Sequence, residues 1–573
     1  MKKIISSPLR RTFFFLFLAL LYFLPMILSK NYALLNLDTN FHISRIFEIK
    51  EGFALKKVFP DISAFTFGEN GQAVALFYPN SFIFIYSLIW YLTNEPTLSM
   101  YLGALVLIFV TQLIAYYSAN VFFKNQYKAF IFAILWSFSN YNMGNLLPRG
   151  ALPTSFAFAF LPLAVLGFYE LLLKDKSKWW MASLGFSLVL LNHLATAYTL
   201  VLFGIILLII SIIQKKFNLA RFKTCILAGL VSILLTLGFT VPFIIQTLNV
   251  KIHGVDVRNM QEVSSGVWRI LERSTENDLT NPSGGLNLGI TVLVLFVAFS
   301  LIMFLDTKHV THKSYLKKLF FYALLSIILV TSLFPWLLFQ YTPIATLQFP
   351  DRFMGYSLLF VLLFVIEFMF NYTFSTKTIG IITLVAMCTY FSASLNFTAE
   401  NLIKVGRKNE MAVVNKKKPT SDKNIEDILN AWYVDYIAED NITYYSDKKG
   451  NISIDYSGLY SKKIQIDGRE ENNFLGHSGY IFDVEGLPQG NHTVRLPMTW
   501  YKGYTAYDNS GLRLDVKKDK RGFAEVLTKG NSSIYITYEK STAEKIAILV
   551  STIYWLLFIV YILSKTVKRP KRV

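Results

Sequence analysis

Residues 79–93 read PNSFIFIYSLIWYLT, an apolar run that inverts the orientation of everything downstream if it crosses a membrane. Charge separates the two readings, because cytoplasmic loops of membrane proteins collect Lys and Arg. With 79–93 held out of the count, the basic start MKKIISSPLRR, the loop Lys124 to Lys128, KDKSK (Lys174 to Lys178), QKKFNLARFK (214–223), DTKHVTHKSYLKK (306–318) and the tail KTVKRPKRV share one side. With it counted as a crossing, nearly all of these loops move together to the far side. The run is therefore read as an interfacial or re-entrant helix, which predicts cytoplasmic N- and C-termini in a multi-pass cell-membrane protein.

Composition agrees with a membrane setting. Of 573 residues 53% are hydrophobic and 16% charged, mean hydropathy is +0.42, and aromatics reach 16%; soluble chains average roughly 45–50% apolar and about 25% charged. A water-soluble enzyme is excluded. The net charge of +19 would suggest nucleic acid in a soluble chain, but here the basic residues fall between apolar runs, so no nucleic-acid partner is expected. Cys225 and Cys388 both lie in apolar segments and frame neither a disulfide module nor a Cys-based zinc site. Apolar runs at 12–29, 97–119, 128–145, 154–173, 179–192, 195–213, 224–247, 287–305, 319–335, 353–371, 378–395 and 544–564 predict about twelve spans. The stretch 179–213 exceeds one bilayer thickness and reads as two short spans that break near Asn192-His193.

The predicted organisation is a transmembrane module over 1–395 with a first outer loop at about 30–96, then an extracytoplasmic β-rich domain over 396–543. A final transmembrane helix with a basic cytoplasmic tail follows over 544–573. The β assignment rests on period-2 alternation in NITYYS, NISIDYSG, KIQIDG, HTVRLPMTWY, LRLDVKK and SIYITYEK.

Four constellations carry chemistry. In NLDTNFHISRIFEIKEGF, Asp38, His42 and Arg45 stand at i, i+4 and i+7, one face of a helix, with Ile43, Ile46 and Phe47 opposite. That pattern suits an amphipathic helix on the outer membrane surface whose carboxylate abstracts a proton or binds metal beside a bound anion; a solvated polar face is the plain alternative. In LLPRGALPTS, Arg149 sits in a turn between spans, able to grip a phosphate bidentately or simply to snorkel. In LLNHLATAY, His193 interrupts a long apolar stretch, either as a functional group at membrane depth or as the cap of a helix break. In TLQFPDRFMGY, Asp351 and Arg352 stand at the mouth of a span, for a substrate or for each other. The mixed charges of loop 248–286, among them Arg258, Glu262, Arg273 and Asp278, single out no residue, and Glu367 reads as structural.

With these residues in view, the chain resembles the type C glycosyltransferase (GT-C) fold of polytopic enzymes that use lipid-linked sugars. The similarity is to its bacterial YfhO-type branch, also called 6-pyruvoyl-tetrahydropterin synthase-related membrane proteins. It is carried by LDTNFHISRI, LFYPNSF (76–82), PRGALP (148–153), QFPDRF (348–353) and LPMTWYKGYTAYDNSG (496–511), in that order. The stretch ANVFFKNQYKAFIFAILWSFSNYNMGNLLPRG also looks like the corresponding loop, span and turn of bacterial oligosaccharyltransferases. The resemblance implies an acidic catalytic residue in the first outer loop, here Asp38, and a polyprenyl-phosphate sugar donor. Relatives often carry a second acidic residue just after the R-G turn, where this chain has Leu152-Pro153-Thr154, so no metal site is carried over; a divalent cation (Mg or Mn) stays an open expectation with Asp38 as its one candidate ligand.

The expected function is inverting transfer of a sugar to an extracytoplasmic acceptor such as a cell-wall polymer or lipid-linked glycan, for example a teichoic acid. Asp38 acts as general base, His42 tunes it, and Arg149, with Arg45, His193 or Arg352, meets donor phosphate. A Lys-, Asn-, Ile- and Phe-rich composition fits a low-GC Gram-positive bacterium. The rival readings are a transporter or flippase of lipid-linked sugars, and a non-catalytic scaffold.

Overall fold

Each of the twelve long apolar runs contributes helix among the described residues of the computed structural model, which are 2–24, 37–254, 257–277, 279, 287–306, 309–372, 374–407, 429, 431, 433–446, 452–530 and 532–567. Seven helices are long and apolar enough to cross a bilayer: Leu98–Phe123, Leu152–Leu173, Leu194–Ile213, Leu219–Asn249, Pro350–Asn371, Thr376–Phe397 and Thr542–Lys565. At 1.5 Å per residue, even the shortest, of 20 residues, reaches about 30 Å. The chain is thus a multi-pass membrane protein, but among the described residues seven helices, rather than about twelve, meet the length. The other five runs form Pro8–Tyr22, Gln126–Ser137, Trp179–Leu190, Ile290–Leu305 and Lys313–Val330. Local chemistry cuts them short: Ser139 caps a new helix, Asn140–Leu146, inside the run 128–145, and His193 caps another after Trp179–Leu190. Lys313, Lys317 and Lys318 load the start of Lys313–Val330.

The run at 79–93 forms the helix Phe84–Thr93, whose 10 residues extend about 15 Å, half the hydrocarbon thickness. It does not cross unaided. Asp278, the tail from 568 and residues 408–428 of the expected β-rich region lie outside the described residues.

Contacts divide the chain into two compact units: residues 1–42, 92–230 and 256–422, and residues 43–91, 231–255 and 423–573. These cut across the linear boundaries expected at 395 and 543. The first unit is built around Leu152–Leu173, buried over nearly its whole length. Small residues let its neighbour Trp179–Leu190 approach closely: a Cβ on Gly167 would lie 2.5 Å from the Ala182 nitrogen, and one on Gly185 2.4 Å from that of Ala164. Trp136 stacks on Phe158 from another side, with centroids 4.0 Å apart.

The second unit contains the expected β-rich domain. Its strands are β1 (Thr443–Ser446), β2 (Ile452–Asp455), β3 (Lys463–Ile466), β4 (Arg469–Phe474), β5 (Gly476–Ser478), β6 (Ile481–Glu485), β7 (Thr493–Thr499), β8 (Tyr504–Asp508), β9 (Arg513–Leu514), β10 (Val516–Lys518), β11 (Phe523–Leu527) and β12 (Ser533–Tyr538). Two five-stranded antiparallel sheets, β10-β11-β7-β3-β4 and β5-β6-β12-β8-β9, share one core, with β1 and β2 paired separately. Alternate residues meet there: Ile464 and Ile466, Val494 and Leu496 from one sheet, Phe482 and Val484, Ile534 and Ile536 from the other. Ile62, Ala64, Leu76 and Phe77 of the first loop complete this core. Tyr480 donates to the Glu48 carbonyl at 2.9 Å, Tyr504 to the Gly71 carbonyl, and Lys540 pairs with Asp61. The loop is thus a structural part of the β sandwich.

One sequence expectation is corrected here. The helix Leu37–Ala54 does not lie on a surface with a wet and a dry face: Thr39, His42, Ser44, Arg45, Ile46, Glu48 and Ile49 are all buried. His42 and Arg45 are thus covered by protein, and partial exposure stays at Asn40, Phe47, Lys50 and Glu51.

Candidate functional site

Gly150 fixes the geometry at the first helix turn of Leu37–Ala54. Its φ is +63°, and a Cβ there would fall 1.7 Å from Thr39 Oγ1, so only glycine lets the Arg149-Gly150 turn rest against Thr39. This contact brings Arg149 near Asp38. Burial holds the Asp38 carboxyl above the ordinary carboxylate range, and the Arg149 guanidinium pulls it back down. No ion pair closes within 4 Å, and among the described residues Asp38 accepts no hydrogen bond.

Arg149 is held from its own turn. Its Nη1 donates to Asn145 Oδ1 at 3.1 Å, and Asn145 Nδ2 donates to the Tyr141 carbonyl at 2.8 Å. Tyr141, Asn145 and Arg149 therefore form an i, i+4, i+8 stripe continuing from Asn140–Leu146 into the turn. The Tyr141 phenol lies within electrostatic reach of Arg149, Arg352 and Asp351 together. Arg352 donates from Nη2 to Gln348 Oε1 at 3.1 Å. Asp351 makes no ion pair among the described residues, so the two adjacent charges do not neutralise each other as a bridge.

His193 is the cap of a helix break. Its Nδ1 accepts from the Thr196 amide and stands 2.8 Å from Thr196 Oγ1 at the start of Leu194–Ile213. Desolvation, then the positive Arg352 and Arg149, push its pKa down to about 3. It is a neutral imidazole that senses both arginines.

The first unit thus gathers Asp38, Arg149, His193 and Arg352 from the sequence-derived set, and adds Tyr141 and Asn145, which sequence reasoning missed. The four-residue spacing of polar groups in SNYNMGNLLPRG was the signal that could have found them. His42, one turn beyond Asp38, is 4% exposed, its ring 5.4 Å edge-on from Phe41. Arg45 has other work. Its Nη2 donates to the Pro79 carbonyl and Asn80 Oδ1, both at 2.6 Å, and its guanidinium lies 4.2 Å over the Tyr78 ring. That fastens LFYPNSF to the helix.

A divalent cation would meet the carboxylates of Asp38 and Asp351, but no three His, Cys, Asp or Glu side chains converge anywhere among the described residues. Two guanidinium groups stand beside those carboxylates. This donor set does not build a metal cage.

An apolar groove of about 550 Å³ runs between Leu152–Leu173, Leu194–Ile213, Lys313–Val330 and Met354–Asn371. One end is walled by Phe353 and Tyr356, immediately after Arg352; Tyr356 shares a 3.0 Å hydrogen bond with Thr199, on the first turns after His193. No family model, no curated protein and no solved structure matches the chain.

Proposed function

We propose that this protein is a membrane glycosyltransferase that moves a sugar from a polyprenyl-phosphate donor to an extracytoplasmic acceptor hydroxyl. The observation that carries the reading is the electrostatic grouping of Asp38 with Arg149, and of Arg149, Arg352 and Asp351 around Tyr141, with Arg352 immediately before Phe353, which lines an apolar groove between helices. An amphiphile with a charged head and a long apolar chain fits both parts at once. The chain stays in hydrocarbon-like surroundings while the head meets the arginines, so the lipid need not be extracted.

In the transfer, the acceptor oxygen attacks the anomeric carbon as the bond to the lipid phosphate breaks. Asp38 takes the hydroxyl proton. Burial raises its pKa and makes it a stronger base than an ordinary carboxylate, and Arg149 opposes that rise. Arg149 and Arg352 meet the negative charge that grows on the departing phosphate, where preformed donors act most strongly. His42 is assigned a positioning role one helical turn away, and His193, neutral and capping, holds the neighbouring helix start. The full reading is a GT-C-type fold of about twelve spans with both termini cytoplasmic, as the basic loops favour. The sandwich presents or selects the acceptor, a cell-envelope glycopolymer.

The test is transfer by the purified full-length protein from a panel of polyprenyl-phosphate sugars. Asp38→Asn is expected to lose about 10²–10⁴-fold in kcat with donor binding intact. Unchanged turnover would overturn the assignment, and flux of donor across proteoliposomes without transfer would favour a carrier.

A further inference from the structure

The groove has a second end, chemically unlike the first. The chain directions of its walls set this out: Leu152–Leu173, Leu194–Ile213 and Met354–Asn371 all start at the Arg149, His193 and Arg352 end, and Lys313–Val330 runs the opposite way. At the far end the lining changes from aromatic and aliphatic side chains to Lys174, Gln214, Lys216 and Lys318, with Tyr169 and Tyr315 beside them. Among the described residues no Asp or Glu lines the groove. The three lysines are exposed and come from three separate segments of chain. Among the described residues none of them pairs with a carboxylate within 4 Å. The nearest acidic groups in sequence are engaged locally: Glu170 accepts the Asp175 amide at 3.3 Å, and Asp175 accepts the Ser177 amide at 3.0 Å.

Lone lysines at helix ends commonly snorkel to the headgroup layer. Three at the mouth of one apolar groove, none in an ion pair among the described residues, form a receptor for an anion that carries a hydrocarbon chain. We infer that this end is a second lipid site, which takes the phosphate headgroup of an anionic membrane lipid between Lys174, Lys216 and Lys318 and one of its chains in the groove. A zwitterionic lipid brings its own cation to the lysines and fits less well. The leaflet is the one facing the basic loops, where anionic lipid collects and each nearby lysine strengthens attraction. This site stands whether or not the protein transfers sugar.

The test uses the full-length protein in nanodiscs of phosphatidylcholine with a minor fraction of phosphatidylglycerol, extracted gently and weighed by native mass spectrometry. Wild type is expected to retain one phosphatidylglycerol with at least about tenfold preference over phosphatidylcholine. The triple change Lys174→Gln, Lys216→Gln, Lys318→Gln abolishes that preference, and Lys517→Gln with Lys520→Gln, on the sandwich, leaves it intact. Ile206→Trp, which fills the groove at a half-exposed wall position, loses the lipid with all three lysines present. Glycerol 3-phosphate added in solution does not displace it. Equal retention of both lipids by wild type, a triple variant that keeps the preference, or displacement by glycerol 3-phosphate would each overturn the site.

Discussion

At Asp38 two influences act in opposite directions, and their balance sets a measurable pH dependence. Burial favours the protonated carboxyl, Arg149 favours the carboxylate, and burial is the larger. A general base must be ionised, so activity rises with pH along a limb displaced above about 3.9, the ordinary aspartate value. Arg149→Gln removes the opposing influence. Its normalised pH–rate profile is expected to shift to higher pH than wild type, and an unmoved limb would disconnect the two residues. Gly150 bears on the same pair through shape. Gly150→Ala forces a Cβ into Thr39 at a left-handed backbone position and is expected to cost more than about 1 kcal/mol of stability. Thr39→Gly in the same chain opens space and recovers part of the loss, read as thermal midpoints. Asp38, Arg149 and Arg352 were legible from their places beside spans. Tyr141 and Asn145 were passed over: their four-residue spacing to Arg149 is in the sequence, but it sits inside the run 128–145 that hydropathy reads as one span. The contacts of Arg45 were hidden for a related reason: spacing put it on the Asp38 face, while its partners at Tyr78–Asn80 lie more than thirty residues away.

Among the elements, Phe84–Thr93 has the greatest consequence for topology. The proposed topology, in which 79–93 does not cross, puts Lys56 before it and Glu95 after it on the same side of the membrane. With Cys225 and Cys388 replaced, single cysteines at 56 and 95 are expected to react with an impermeant thiol reagent from the same side, and one at Lys124, beyond Leu98–Phe123, from the other. Labelling of 56 and 95 from opposite sides would make 79–93 part of a crossing. The helix Leu37–Ala54 carries a second pH effect. Glu48 accepts from the Ala64 amide at 2.9 Å, the Phe65 amide at 3.2 Å and Thr66 Oγ1 at 2.8 Å, and burial pushes its pKa up to about 7. The folded value lies above the unfolded one, about 4.3, so the folded state binds the proton more tightly. Its stabilisation is complete below about pH 4.3 and declines as pH rises through 7. Glu48→Gln is expected to flatten that decline in thermal midpoint between pH 4.5 and 8.

For the whole molecule, the membrane class and a β-rich domain could be read from composition and from alternation in runs such as KIQIDG. The partition into units could not. Local patterns carry no information on a bond such as Tyr504 to Gly71, which joins residues 433 apart, or on Ile62 and Phe77 entering a sandwich core built from 464–538. Among the described residues, the cap at Ser139 divides the run 128–145 into two helices, a break that hydropathy does not show. What the units do together is a question of chemistry in a living envelope. The most direct measurement is the glycosylation of cell-wall polymers in a deletion strain complemented with wild type or with Asp38→Ala, read by mass spectrometry of the extracted polymer. A sugar lost on deletion, restored by wild type and absent with the equally expressed variant, is the result expected of Asp38-dependent transfer. Equal restoration by Asp38→Ala would contradict it.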